Sequence, residues 1–290
     1  MPTFLSPYVG TRFPYTDLPQ DDGTGHRDGL LGRYTPEQRP KIIYTNTSVE
    51  YWGLGRAAAL THTSLDGRKG LMLPDNVRVY LLSGTQHGES AFPPSTTTGQ
   101  QPGNPVPQRE VVRALLRGLD RWVRRGVEPP PSRFPILGDG TLVSSKDVRF
   151  LALPGVRDPQ TISGPARIVR GEVVPLPHLV PQVDADGNEL GGIRVSDQAV
   201  PLAMTTGWNF RAEATGNPGE IVNLVGSYIP FPATRAEREA RRDPRPSIEE
   251  RYASRDAYLS KVKAAASVLI DRGYLLRDDL DEVLARANAH

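Results

Sequence analysis

At 290 residues, with 38% apolar and 23% charged side chains, the chain has material for one large or two ordinary cores, and its 28 glycines and 28 prolines argue against long helical repeats. Thirty-five basic and 33 acidic side chains leave a net charge of +2 and no extended basic field, so nucleic acid is not an expected partner. With no cysteine, disulfides, thiolate zinc sites and a cysteine nucleophile are all excluded.

In chain order, residues 1–40 are polar and turn-rich ("PQDDGTGHRDGLLGRYTPEQRP"), with no helical period. They read as an irregular lead-in, and residues 1–30 lack the order of a secretory signal. The run "KIIYTNTSVEYWG" begins with Ile42, Ile43 and Tyr44 and breaks at Thr, Asn and Ser, which predicts a strand followed by a loop. Residues 57–76 read as a short helix or connection with a turn at Asp66-Gly67. In "NVRVYLLSG", Val77, Val79, Tyr80, Leu81 and Leu82 are nearly continuous in apolar character, as in a strand of a parallel sheet covered on both faces.

A Pro, Gly and Thr-rich loop over 91–108 leads into "QREVVRALLRGLDRWVRRG", the clearest helix. Val112, Leu115, Leu116, Leu119, Trp122 and Val123 define its expected buried face, and Gly126 its stop. Short β-like runs follow ("VRFLAL", "ARIVRGEVV", "IVNLVGSYI"), with a hairpin turn at Asp186-Gly187. The capping-box pattern Ser247…Glu250 predicts one long helix ending at Gly273, and Leu280, Val283, Leu284 and Ala287 mark a last, shorter one. No apolar run approaches membrane-spanning length, so no membrane partner is expected.

Two strands that each run into a polar loop, one presenting Glu50 and the next His87, have the order of the last two members of a Ser-acid-His triad. The histidine must sit on a loop to reach a serine oxygen with one ring nitrogen. The carboxylate must hold the other nitrogen, fix the tautomer and stabilise the imidazolium.

The blocks "PKIIYTNTSVEYWG", "LPDNVRVYLLSGTQHG", "LDRWVRRGVEPPPSRFPILGDGTLV" and "AVPLAMTTGWNFR…GSYIPFPATRAEREARRDPRPSIEERY" resemble, in order, the C-terminal portion of a family of bacterial α/β-hydrolase domain proteins, over about residues 20–285. The resemblance implies a serine hydrolase of carboxylic esters that needs no cofactor, with Glu50 as its acid and His87 as its base. It also implies a partial α/β-hydrolase-type fold, made of the late strands of a mostly parallel sheet plus helices. Residues 1–40 would be the lead-in, 41–145 the C-terminal part of the hydrolase domain, and 146–290 a β-rich and helical extension packed on it.

The sequence departs from the family in lacking a G-x-S-x-G elbow: Ser90 has Gly88 before it but Phe92 after it. The serine is therefore expected outside this chain, on a partner carrying the N-terminal half, and the open strand edges are expected to be covered by that partner, by a second copy or by residues 148–230. The competing reading is a non-catalytic remnant or interaction module of the same fold.

Trp52, close to Glu50, is a packing residue by type and the candidate substrate contact by position. Ser48 and Ser83 stand at strand ends but on no glycine-flanked elbow. "DADGNE" has alternate oxygen side chains like a calcium loop, but its glycine falls too early and the distal glutamate is missing, which favours a hairpin. His62 and His178 have no neighbouring ligands in sequence, and "TRAEREARRDPR" reads as a solvated helix face.

Overall fold

The computed structural model describes residues 12–53 and 57–289. The lead-in holds one two-residue antiparallel ladder, β1 (Gln20–Asp21) with β2 (Arg27–Asp28). Beyond it lies the element that organises the site. Strand β3 (Ile42–Thr47) pairs in parallel with β4 (Val77–Leu82), Ile42 opposite Val77 and Thr47 opposite Leu82, so the two strands end level. Helix α1 (Val49–Trp52) starts one residue after β3. The connection to β4 contains a 3₁₀ turn at Ala58–Thr61 and the expected turn at Asp66-Gly67, where Gly67 has φ +69°.

Every residue of β4 except Arg78 is buried, as its continuous apolar run predicts. Its second edge is closed by two short pieces of chain. Leu81 N–H donates to the Arg133 carbonyl at 2.8 Å and Arg133 N–H to the Val79 carbonyl at 2.9 Å. Ile193 N–H donates to the Leu81 carbonyl at 2.7 Å and Ser83 N–H to the Ile193 carbonyl at 3.0 Å. The outer edge of β3 has no backbone ladder among the described residues, and only Thr47 of that strand is buried. An open strand edge leaves peptide groups available to another strand.

The remaining strands form separate two-stranded ladders, all antiparallel. These are β5 (Leu142–Ser144) with β8 (Leu179–Pro181), β6 (Ala166–Val169) with β7 (Glu172–Pro175), and β9 (Ala203–Thr205) with β10 (Tyr228–Pro230). The expected strand in "VRFLAL" does not form. Pro154 closes the run after six residues, and Val148 and Leu153 are buried from irregular chain instead. The main core joins Tyr51, Trp52 and Leu81 to Val180, Met204, Trp208 and Phe231, so the later part of the chain supplies much of the packing around the parallel pair.

Helix α2 (Arg109–Arg125) ends at Gly126, whose φ of +70° is the left-handed stop. Its buried face differs from the expected one. Val111, Ala114, Leu115, Gly118 and Trp122 face inward, with Trp122 also under Lys41 and Arg78. Val112, Leu116 and Val123 form an exposed stripe, with Leu116 64% and Val123 63% accessible. The helix carries apolar residues over a wider arc than one contact covers. The small residues Ala114 and Gly118 let the inward face approach closely, Gly118 lying against Pro129.

The expected long helix after Ser247 is two helices. The capping box forms, with Glu250 accepting from both the Ser247 backbone and hydroxyl, and opens α5 (Ile248–Arg251). The chain then turns extended at Tyr252, whose hydroxyl donates to the Pro201 carbonyl at 2.8 Å. Ser254 caps a new helix, α6 (Arg255–Asp271), through the Ala257 N–H. Two short helices, α3 (Ser196–Ala199) and the exposed α4 (Arg235–Arg241), precede this pair, and α7 (Leu280–Ala289) packs on α6.

The outward apolar stripe of α2 predicts a surface property. The chain is expected to bind a hydrophobic dye, and Leu116→Lys with Val123→Lys is expected to abolish most of that signal. The same pair should change unfolding stability by no more than about 0.5 kcal/mol per site, because neither side chain belongs to the core.

Candidate active site

The two loops at the carboxyl ends of β3 and β4 meet. His87 Nδ1 lies 2.9 Å from Glu50 Oε1. The pair sits at the surface, with the imidazole 57% and the carboxylate 28% accessible. The other carboxylate oxygen, Oε2, accepts from the Thr47 N–H at 2.6 Å and from the Thr47 hydroxyl at 2.5 Å. Thr47 is the last residue of β3, so the strand end itself aims Glu50 at the histidine. The three-residue spacing of Thr47 and Glu50 in "TSVE" is what lets the carboxylate reach back to both Thr47 donors. The His87 backbone is tied by its N–H to the Leu224 carbonyl at 3.3 Å, and His87 Nε2 has no hydrogen bond among the described residues.

The arrangement can do one thing chemically. With Nδ1–H donating to Glu50, Nε2 is the basic nitrogen and can take a proton from a nucleophile, while the carboxylate stabilises the resulting imidazolium. Of the three serines nearest in sequence, Ser48 and Ser83 already donate their hydroxyl protons elsewhere, and the Ser90 oxygen serves as an acceptor. Ser48 Oγ donates to Glu189 Oε2, Ser83 Oγ to the Gly191 carbonyl, and Ser90 Oγ accepts from the Gln86 amide.

Trp52, the expected substrate contact, stands apart from the exposed pair. It is 2% accessible, edge-on to His178 and Trp208, and lines a small pocket with Phe150 and Met204. A small cleft lined by Phe92, Val106, Leu202, Tyr228, Tyr258 and Arg286 contains neither Glu50 nor His87. "DADGNE" is a hairpin turn. Gly187 has φ +84°, Asp184 pairs with Arg194 and Asp186 with Arg251, so its carboxylates are taken. His62 is buried against the Tyr51 hydroxyl at 3.0 Å, and burial pushes its pKa down to about 4. His178 Nε2 lies 3.0 Å from the Tyr51 carbonyl oxygen, and no cluster of metal-ligating side chains occurs among the described residues.

A family model described as an alpha/beta hydrolase domain matches residues 10–285. The chain belongs to that family. No curated protein and no solved structure matches it. The parallel β3–β4 pair and the surrounding helices fit a partial alpha/beta fold of that family.

Inside this alpha/beta hydrolase domain, sequence reasoning missed Glu189, which has no local signal: it is one carboxylate in the turn "GNELGG". The side chain is buried directly behind the two loops. Its Oε2 accepts from Ser48 Oγ at 2.5 Å and from the Gly84 N–H at 2.7 Å. Burial pushes its pKa up to about 7, opposed by those two donors, the Trp52 indole and the Arg194 charge.

This shift has a definite sign. Between the ordinary 4.5 and about 7 the folded chain holds a proton on Glu189 that the unfolded chain has lost, so this group's contribution to stability is lost as pH rises through that window. Glu189→Gln removes the effect while retaining an acceptor. Relative to wild type, the variant is expected to gain stability from pH 4.5 to pH 7.5 by on the order of 3 kcal/mol, measured by urea unfolding at each pH. An identical pH dependence in the two proteins would refute the assignment.

Proposed function

We propose that the chain supplies the acid and the base of a Ser-Glu-His triad to a serine hydrolase of carboxylic esters, with the serine carried by a segment outside this chain. The observation that carries the reading is the 2.9 Å contact of Glu50 with His87 Nδ1 at the level ends of adjacent parallel strands, with Nε2 unengaged. Family membership supports the hydrolase class.

In the complete site, His87 Nε2 takes the proton of the serine hydroxyl as the oxygen attacks the ester carbonyl. The same nitrogen returns the proton to the departing alkoxide, leaving an acyl-serine. Water then attacks the acyl group with His87 again as base, and the serine regains its proton. Glu50 holds the imidazole in the tautomer that keeps Nε2 free. No cofactor enters these steps.

The placement of the serine elsewhere is supported by the missing G-x-S-x-G and by Ser48 and Ser83, whose hydroxyl protons are already donated to other groups. It is supported too by the open outer edge of β3, where a further parallel strand fits.

The test uses a fluorophosphonate probe and a short-chain aryl ester. The chain alone is expected to remain unlabelled and inactive. Addition of the product of the reading frame immediately upstream is expected to give serine labelling on that product and ester turnover. Both should fall by 10³-fold or more, on the order seen for loss of a triad base, in His87→Ala. Labelling of a serine within the chain itself, abolished by His87→Ala, would overturn the external serine. Silence in every combination would favour the non-catalytic interaction module.

A further inference from the structure

We propose that Glu189 is the positioning residue of the Glu50–His87 pair, a single carboxylate oxygen that ties the loop bearing the acid to the loop bearing the base. The inference rests on the reading of that pair given above. Nothing in the motif logic of a triad calls for a third carboxyl here, so the assignment comes from contacts alone.

The two donors that converge on Glu189 Oε2 belong one to each loop. Ser48 follows Thr47, the residue that grips Glu50, and its carbonyl accepts the Tyr51 and Trp52 N–H groups that begin α1, the helix on which Glu50 rides. Gly84 stands two residues beyond β4 and three before His87. Its φ of +56° turns the chain out of the strand, and an added Cβ would collide with the buried Gln198 amide, so the turn takes glycine.

Beyond Thr47 and Leu82 the β3–β4 ladder ends. Among the described residues one further backbone bond joins the loops near this point, from the Ser48 N–H to the Thr85 carbonyl at 3.2 Å. Glu189 takes over where the ladder stops. Because both donors meet the same oxygen, a shift of either loop stretches a bond at that atom. Glu189 does not touch the reacting atoms; it acts through the separation of Glu50 and His87.

The signature of correct positioning is the tautomer of His87. A free neutral imidazole prefers its proton on Nε2, whereas donation to Glu50 holds it on Nδ1. The ¹⁵N and ¹³C shifts of the His87 ring in the intact 290-residue chain, taken at alkaline pH and assigned by loss of the signals in His87→Asn, report the Nδ1–H fraction. The wild type is expected to show Nδ1–H as the major form, and Glu50→Ala to lose it. Should wild type and Glu50→Ala agree, the pair itself is wrong and the role of Glu189 falls with it.

With the pair established, Glu189→Ala is expected to lower the Nδ1–H fraction at least twofold toward the Glu50→Ala value, and Glu189→Gln, which keeps an acceptor oxygen, to restore it. Ser48→Ala, a smaller change that removes one of the two ties, is expected to shift it in the same direction and decides the matter if Glu189→Ala does not fold. Wild-type tautomer content in folded Glu189→Ala or in Ser48→Ala would overturn the proposal while leaving the pair intact, as would a folded Glu189→Gln that behaves like Glu189→Ala.

Discussion

Adjacent parallel strands that end level place their following loops side by side, and the register of β3 on β4 is the constraint from which the site grows. In a parallel pair both chains run out at the same edge, so residues far apart in sequence emerge within one strand spacing of each other. Thirty-seven residues separate Glu50 from His87, yet their side chains meet at hydrogen-bond distance. A register slip of one residue would reverse the faces of β4 and move the histidine loop relative to the acid. The burial of Val77, Val79, Tyr80, Leu81 and Leu82 opposes such a slip.

Two carboxylates serve this edge in opposite environments. Glu50 is partly exposed, keeps its hydration on one side, and is aimed by a strand-end threonine. Glu189 is enclosed, and taking a carboxylate out of water is costly unless donors replace the lost solvent. The Ser48 hydroxyl, the Gly84 N–H and the Trp52 indole partly do so, but burial outweighs them and the carboxyl stays raised above its ordinary pKa. A position that needed only packing would be better filled by an apolar side chain of similar size. Keeping an acceptor there makes sense when two donors from different loops must share one point.

The surroundings of the pair are asymmetric. On one side, β4 is covered by chain from Arg133 and Ile193 and by a core drawn from residues as distant as Phe231. On the other, β3 is half-exposed and α2 turns Leu116 and Val123 outward. The proposal of an external nucleophile draws its support from this asymmetry, in which one edge of the parallel pair is covered and the other is open among the described residues.

The parallel pair, α2, the final helix and the candidacy of Glu50 and His87 were all legible in the residues, because each rests on local pattern: an apolar run, a helical spacing, a loop after a strand. The sequence by itself also excluded thiol chemistry and showed no nucleophile elbow. Only the tertiary structure decided which arc of α2 is buried, since Val111 and Val112 are equally apolar and contact alone chooses between them. It likewise broke the helix at Tyr252, where a tie to Pro201 outweighs helix propensity, and drew Trp52 into the core. Glu189 reaches Ser48 across 141 residues of chain, a contact that no periodicity encodes, because it depends on how a hairpin turn packs behind two strand ends.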